Sequence, residues 1–242
     1  MTFLFDENYL PFYITRTLAE KRKTGCRMSW SKSALGATVL LASAPGSAQT
    51  EQVQERAASP EIGFGIFAHG VRRPWTAALP PGVIYEGEEE RGTADVQFVY
   101  RSAPLTKALK PRLTARLQIN TDGRTDFASV GAEWRQHVFS NRLYGQIGIG
   151  LTIQDGYRYT PDPFASGISV AEAERRYDIY RNRTAFGSRV LFNPNLSIGV
   201  RVNRRWAVEA AFEHFSHRRL FSEQNPGIDT VGLRLIRTLG HR

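Results

Sequence analysis

His214-Phe215-Ser216 places an imidazole and a hydroxyl two residues apart. On an extended strand that spacing puts both side chains on one side. There the imidazole can take the hydroxyl proton, which is the first requirement of serine nucleophilic chemistry. Asp229 opens the next apolar alternation. If that segment pairs antiparallel with the first, the carboxylate comes alongside His214 and can orient its ring. The reaction would be attack of Ser216 on an ester carbonyl, with backbone N–H groups after Ser216 as the expected oxyanion donors. A His-x-Ser pair recurs by chance, so its meaning is set by where the chain puts it.

Other chemistries find little support. There is no metal-binding His pair on a helix, no phosphate loop and no Gly-x-Ser-x-Gly nucleophile motif. The remaining histidines are His69, His137, His217 and His241, with His137 expected in a tight turn and His241 in the tail. Cys26 is the sole cysteine and precedes the expected cleavage point, which excludes a disulfide framework and a thiolate centre from the mature chain. No cofactor or metal is called for.

The elements that must carry these residues alternate with period 2. Ile62, Phe64, Ile66 and Ala68 share one side, as do Ala94, Val96, Phe98 and Tyr100. The pattern repeats over segments led by Leu113, Ala128, Leu143, Leu196, Trp206 and Val231, each setting apolar residues against polar or glycine ones. Eight such segments predict an all-β fold, an eight-stranded antiparallel transmembrane β-barrel with an apolar outer face. A soluble sandwich also alternates. Long strands, large charges on the opposite face and an export signal favour the barrel. Gly131, Gly145, Gly148 and Gly150 are expected to relieve crowding in a narrow lumen. Pro194 interrupts the sixth strand and predicts a bulge. The segments 72–93, 154–183 and 217–226 are expected as long extracellular connections, and 138–142 and 203–204 as tight turns.

On this plan His214 and Ser216 continue the row of Trp206, Val208, Ala210 and Phe212, while Asp229 continues that of Val231, Leu233 and Leu235. Three polar residues then converge on the lipid face near the outer leaflet. The bland explanation is that they sit above the apolar band among head groups. Polar groups facing lipid are costly and carry function when retained, and a site there suits a substrate already in the membrane.

Residues 28–48 have a short basic start, the apolar stretch Ala34–Ala44 and small residues before a cleavage point between Ala48 and Gln49, as a signal peptide requires. Residues 1–27 fit no part of such a signal, and Met28 is read as the start of the leader. Residues 1–48 are therefore expected to be leader, 49–60 a flexible periplasmic lead-in and 61–242 the barrel. The formal charge of +9 falls to +6 beyond residue 48, and nearly all the basic residues there are arginine. Without a dense basic run or recognition motif, anionic lipid head groups fit this charge better than nucleic acid.

Phe212-Glu213-His214-Phe215-Ser216, followed by Asn225-Pro226-Gly227-Ile228-Asp229 and Val231-Gly232-Leu233-Arg234-Leu235, resembles the outer-membrane lipid A deacylases of the PagL type, also called acyloxyacyl hydrolases. Gly65–His69 and Phe186–Phe192 extend the resemblance more weakly. It implies an eight-stranded barrel in the bacterial outer membrane that hydrolyses the ester-linked acyl chain at the 3-position of lipid A, with no cofactor. His214 would be the base, Ser216 the nucleophile and Asp229 the acid. The family acid is commonly Glu, and Asn often follows the serine, where His217-Arg218-Arg219 follows here.

Two other readings remain open: a structural or adhesive barrel, and a lipid-binding relative without turnover. Arg158, Arg175, Arg176, Arg218 and Arg219 are candidates to hold substrate phosphates or carboxylates, or are ordinary solvated loop charge. The acidic run Glu86–Glu90 reads as a solvated loop in preference to a divalent-cation site.

Overall fold

The computed structural model describes residues 59–72, 87–106, 108–139 and 142–240. The expected leader, its cleavage point, most of the lead-in, Glu86 and His241 lie outside the described residues. Ser59 and Pro60, the end of the lead-in, are tied to the barrel: Arg112 Nη2 donates to Ser59 O at 2.6 Å, and Leu239 N to Pro60 O at 2.8 Å.

The described chain forms β1 (Glu61–His69), β2 (Thr93–Pro104), β3 (Arg112–Asn120), β4 (Phe127–Val138), β5 (Leu143–Gln154), α1 (Val170–Asn182), β6 (Val190–Phe192), β7 (Asn195–Arg201), β8 (Trp206–Phe215) and β9 (Ile228–Thr238). Apart from β6 and β7, which are collinear, consecutive strands pair antiparallel, and β1 pairs with β9, so the sheet closes. The segments β6 and β7 both pair with β5 and together make one barrel strand, giving the eight strands expected. Closure leaves no unpaired edge, which a spanning sheet cannot tolerate in hydrocarbon.

Alternation sorts the side chains as expected. The outward rows are apolar and open, with Ile66 61 % and Ile147 65 % exposed, and similar residues surround the barrel. A continuous apolar belt of this kind is the lipid-facing surface of a transmembrane barrel.

The inward rows are charged. Arg101 forks onto Glu209 with two bonds of 2.9 Å and reaches Glu133 at 2.6 Å. Tyr144 Oη donates to Glu209 at 2.8 Å, and Arg135 forks onto Glu61 with two bonds of 2.7 Å. Arg116 meets Glu133, and Arg234 meets Glu213. The lumen is thereby filled by paired charges, although Arg116 Nε and Arg234 Nε are buried without a hydrogen-bond partner among the described residues.

Several expectations change. Pro194 makes no bulge, because the pairing register runs unbroken from β6 into β7 against both neighbours. Proline only deletes one donor to the ladder, and Asn193 Nδ2 reaches the carbonyl of His214, opposite Pro194, at 3.3 Å. Gly148 does relieve lumenal crowding, since a Cβ there would lie 2.6 Å from Glu133 Cγ, whereas Gly145 faces outward into open space. His137 belongs to β4, not to a turn.

The long connection 154–183 contains α1 in its second half. Ser169 caps α1 by accepting Glu172 N at 3.3 Å, while Glu172 holds Arg175 and Arg176. The hydrogen bonds from these two arginines keep the Glu172 carboxyl at about 2, below the usual carboxylate range.

The acidic run is not solvated in its described part. Glu90 is buried, accepting from His69 Nε2 at 3.0 Å, Thr125 N at 3.1 Å and Thr184 N at 3.1 Å. It thus ties β1 to the segments flanking β4 and α1, and His69 spans from it to Asp95 at 2.8 Å.

Replacing Arg101 with Met would leave Glu209 and Glu133 with one fewer cation in a closed lumen. The expected cost is about 3–5 kcal/mol, read as a lower urea midpoint for the barrel in phospholipid vesicles. An unchanged midpoint would show that water enters the lumen and replaces the pair.

Candidate functional site

The site lies where β8 and β9 meet near the end of the barrel that carries α1 and the 216–227 connection. On β8, Val208, Ala210 and Phe212 face outward while Glu209, Ala211 and Glu213 face inward, so parity sends His214 and Ser216 outward. The β8–β9 register places His214 directly opposite Asp229. Directly opposed residues in an antiparallel pair have their Cβ atoms about 4.5–5.5 Å apart, within reach of an aspartate.

The structure brings the three expected residues together. His214 Nδ1 is hydrogen-bonded to Asp229 Oδ1, and His214 Nε2 lies 2.8 Å from Ser216 Oγ. An ionised carboxylate accepts the Nδ1 proton, which leaves Nε2 as the acceptor for the serine hydroxyl. The groups sit on outward rows, yet Ser216 is only 5 % and Asp229 2 % exposed. The turn that follows β8 shelters them.

Gly227 is part of that shelter. It has φ +64°, and a Cβ on it would lie 3.0 Å from His214 Cε1 and 3.1 Å from Ser216 Cβ. Only glycine accepts both the left-handed backbone and the close approach. On the other flank, His214 N donates to Pro194 O at 3.0 Å, and Ser216 N to Phe192 O at 3.1 Å.

Behind the site stands a layer that the alternation did not single out. Phe215, between His214 and Ser216, points inward and stacks on Phe127 with centroids 4.1 Å apart and planes 6° from parallel. Ile228, beside Asp229, is buried in the same cluster with Phe186 and Leu191. An aromatic residue on the otherwise charged or small inward row of β8 was the signal for it in the sequence.

His217 is also buried, not part of an open rim. Its Nε2 lies 2.9 Å from both Phe186 O and Gln224 O, and its backbone N donates to Asn225 Oδ1 at 2.8 Å. The first backbone N–H after Ser216 is therefore engaged, contrary to its expected use as an oxyanion donor. Among the described residues, no partner is recorded for the next two, those of Arg218 and Arg219.

A groove of about 720 Å³ opens at Ser216. Ile149, Phe192, Pro194 and Leu220 give it apolar lining, and Arg218 and Arg219 add charge. The other rim arginines are elsewhere: Arg175 and Arg176 pair with Glu172, and Arg158 lies over the Tyr159 ring at 5.5 Å.

Residues 29–237 match the family described as lipid A 3-O-deacylase (PagL). No curated protein matches the chain. Among solved structures it is similar to the crystal structure of the outer membrane enzyme PagL, at 12 % identity and TM-score 0.47 over 74 % of this chain and 99 % of that one. It is also similar to a de novo designed transmembrane β-barrel, at 9 % identity and TM-score 0.42 over 75 % of this chain and 96 % of that one. The outer membrane protein Ail of Yersinia pestis gives 10 % identity and TM-score 0.39 over 74 % and 99 %.

Gly227→Ala is expected to destabilise the barrel by about 1–2 kcal/mol through the left-handed backbone, and to move the His214 ring resonances in an NMR spectrum. Unmoved resonances would mean that the turn yields away from the site.

Proposed function

The chain belongs to the lipid A 3-O-deacylase (PagL) family of the bacterial outer membrane, and on that premise we propose that it hydrolyses the ester-linked acyl chain at the 3-position of lipid A by serine catalysis. The observation that carries this reading is the continuous hydrogen-bonded chain from Asp229 through His214 to Ser216, opening onto a groove with apolar walls.

Ser216 Oγ attacks the ester carbonyl as His214 Nε2 takes its proton. Asp229 holds the ring in the tautomer this requires and stabilises the imidazolium that forms. The tetrahedral intermediate collapses with loss of the sugar hydroxyl, which leaves with the proton from His214, and the acyl group stays on Ser216. Water, deprotonated by His214, then attacks the acyl-serine ester and releases the fatty acid. The negative oxygen needs fixed donors; with Ser216 N and His217 N engaged, the backbone N–H groups of the Arg218–Arg219 turn are assigned that role. No step calls for a metal or cofactor.

The outward position suits the substrate. A lipid in the outer leaflet reaches the wall of the barrel by lateral diffusion, and its acyl chain can enter the groove along Ile149, Phe192 and Pro194 without leaving the membrane. Asp229 is one methylene shorter than the common family Glu, and the directly opposed register makes up the reach.

Mass spectrometry of lipid A from cells expressing the protein tests this. The wild type should remove one ester-linked acyl chain, and Ser216→Ala and His214→Ala at equal outer-membrane levels should leave it in place. Asp229→Asn, which disturbs the tautomer, should slow turnover by about 10³- to 10⁴-fold. Unchanged lipid A with the wild type would reject lipid A deacylation and leave a binding or structural barrel. Loss of the chain with Ser216→Ala as well would reject the serine as nucleophile.

A further inference from the structure

The segment after Ser216 has a conformation that its side chains do not favour. Leu220 N donates to His217 O at 2.9 Å, closing a four-residue turn whose two central residues, Arg218 and Arg219, have φ of 51° and 60°. Two successive left-handed residues define a type I′ turn, for which Asn-Gly is preferred. Two arginines are a poor choice for backbone energy alone. Strain of this kind is retained where surrounding structure enforces it, often at functional positions.

The surroundings here do enforce it. His217 is buried at the turn's first position and bonded to three groups from two other segments: the carbonyls of Phe186 and Gln224 and the side chain of Asn225. With His217 held inside, the two following residues are turned out beside the groove that contains Ser216. Both arginines are exposed, and among the described residues no ion pair or hydrogen bond is recorded for either guanidinium. Arg175 and Arg176, by contrast, are already paired with Glu172.

We infer that Arg218 and Arg219 form an anion subsite for a phosphomonoester on the sugar headgroup of the lipid whose acyl chain lies in the groove. Guanidinium groups bind phosphate through parallel charge-assisted hydrogen bonds, and the apolar lining beside them fits the acyl part of the same molecule. The subsite therefore selects phosphorylated glycolipids over neutral ones. It deepens the proposed deacylase reading by naming the headgroup chemistry, but binding at the subsite does not depend on turnover.

The test uses Ser216→Ala protein in neutral detergent micelles, so that binding is read without hydrolysis. The variant Arg218→Asn/Arg219→Gly installs the residues that the turn geometry favours, so the fold is not put at risk. Binding of bisphosphorylated lipid A, of the same lipid stripped of phosphate, and of inorganic phosphate is measured with and without the two arginines. The expected result is a preference of at least tenfold for the phosphorylated lipid, lost in the double variant while its unfolding midpoint is unchanged or higher. Equal affinity for the two lipids, or a preference that survives the double variant, overturns the subsite. Inorganic phosphate binding as tightly as the lipid overturns selection of a lipid headgroup and leaves a general anion site. If Ser216→Ala protein still cleaves the ester, the serine mechanism fails; the binding comparison, run at a temperature where turnover is negligible, still decides the subsite.

Discussion

The forked ion pair between Arg101 and Glu209 is the contact on which the rest of the barrel depends. An eight-stranded barrel has a lumen just wide enough for side chains to fill, and here it is filled by charges. Removing charges from water is costly unless each one finds good partners. Arg101 spans Glu209 and Glu133, and Tyr144 and Arg234 contact Glu209 from further strands. Because the charged residues find opposite charges inside, period-2 alternation must send the apolar ones outside. The lipid belt and the packed charged lumen are two results of one sorting.

That sorting also fixes what kind of site the wall can hold. Side chains at 214 and 216 are on the outward side whatever their chemistry, and strand pairing sets which residue of β9 faces them. A site on this wall therefore meets its ligand in the bilayer, not in the lumen. The inward residues between the site's own members serve as its footing. Phe215 and Ile228 are held in an apolar cluster under the outward groups, so the backbone carrying His214, Ser216 and Asp229 is packed from behind.

Strand number, lipid face and the outward position of the three site residues were legible in the sequence because alternation leaves little freedom once one row is known to be apolar. What was not legible depended on contacts between distant segments. The burial of His217 is set by carbonyls at 186 and 224, which no local pattern reveals. Pro194 suggests a bulge by local rule, but the Asn193 amide supplies the contact that keeps the strand in register. Glu90 reads as one more acid in a charged run, and only the folded mouth shows it accepting backbone donors at 125 and 184. The helix α1 is different: Ser169-x-x-Glu172 is a helix-start signal present in the sequence.

The remaining physical problem is how an outward row can hold an imidazole, a hydroxyl and a carboxylate at tolerable cost. In hydrocarbon each would need a partner, and a carboxylate most of all. The partners are one another, and the covering is the 217–227 connection, which brings Gly227 against the ring and leaves Ser216 and Asp229 nearly closed off. That connection is in turn held by His217, which faces the interior and bonds to carbonyls of two loops. The sheltered outward site thus depends on an inward-facing residue immediately after the serine. A change at His217 would act on the site without touching any of its three polar groups, because it would release the turn that keeps hydrocarbon off the carboxylate.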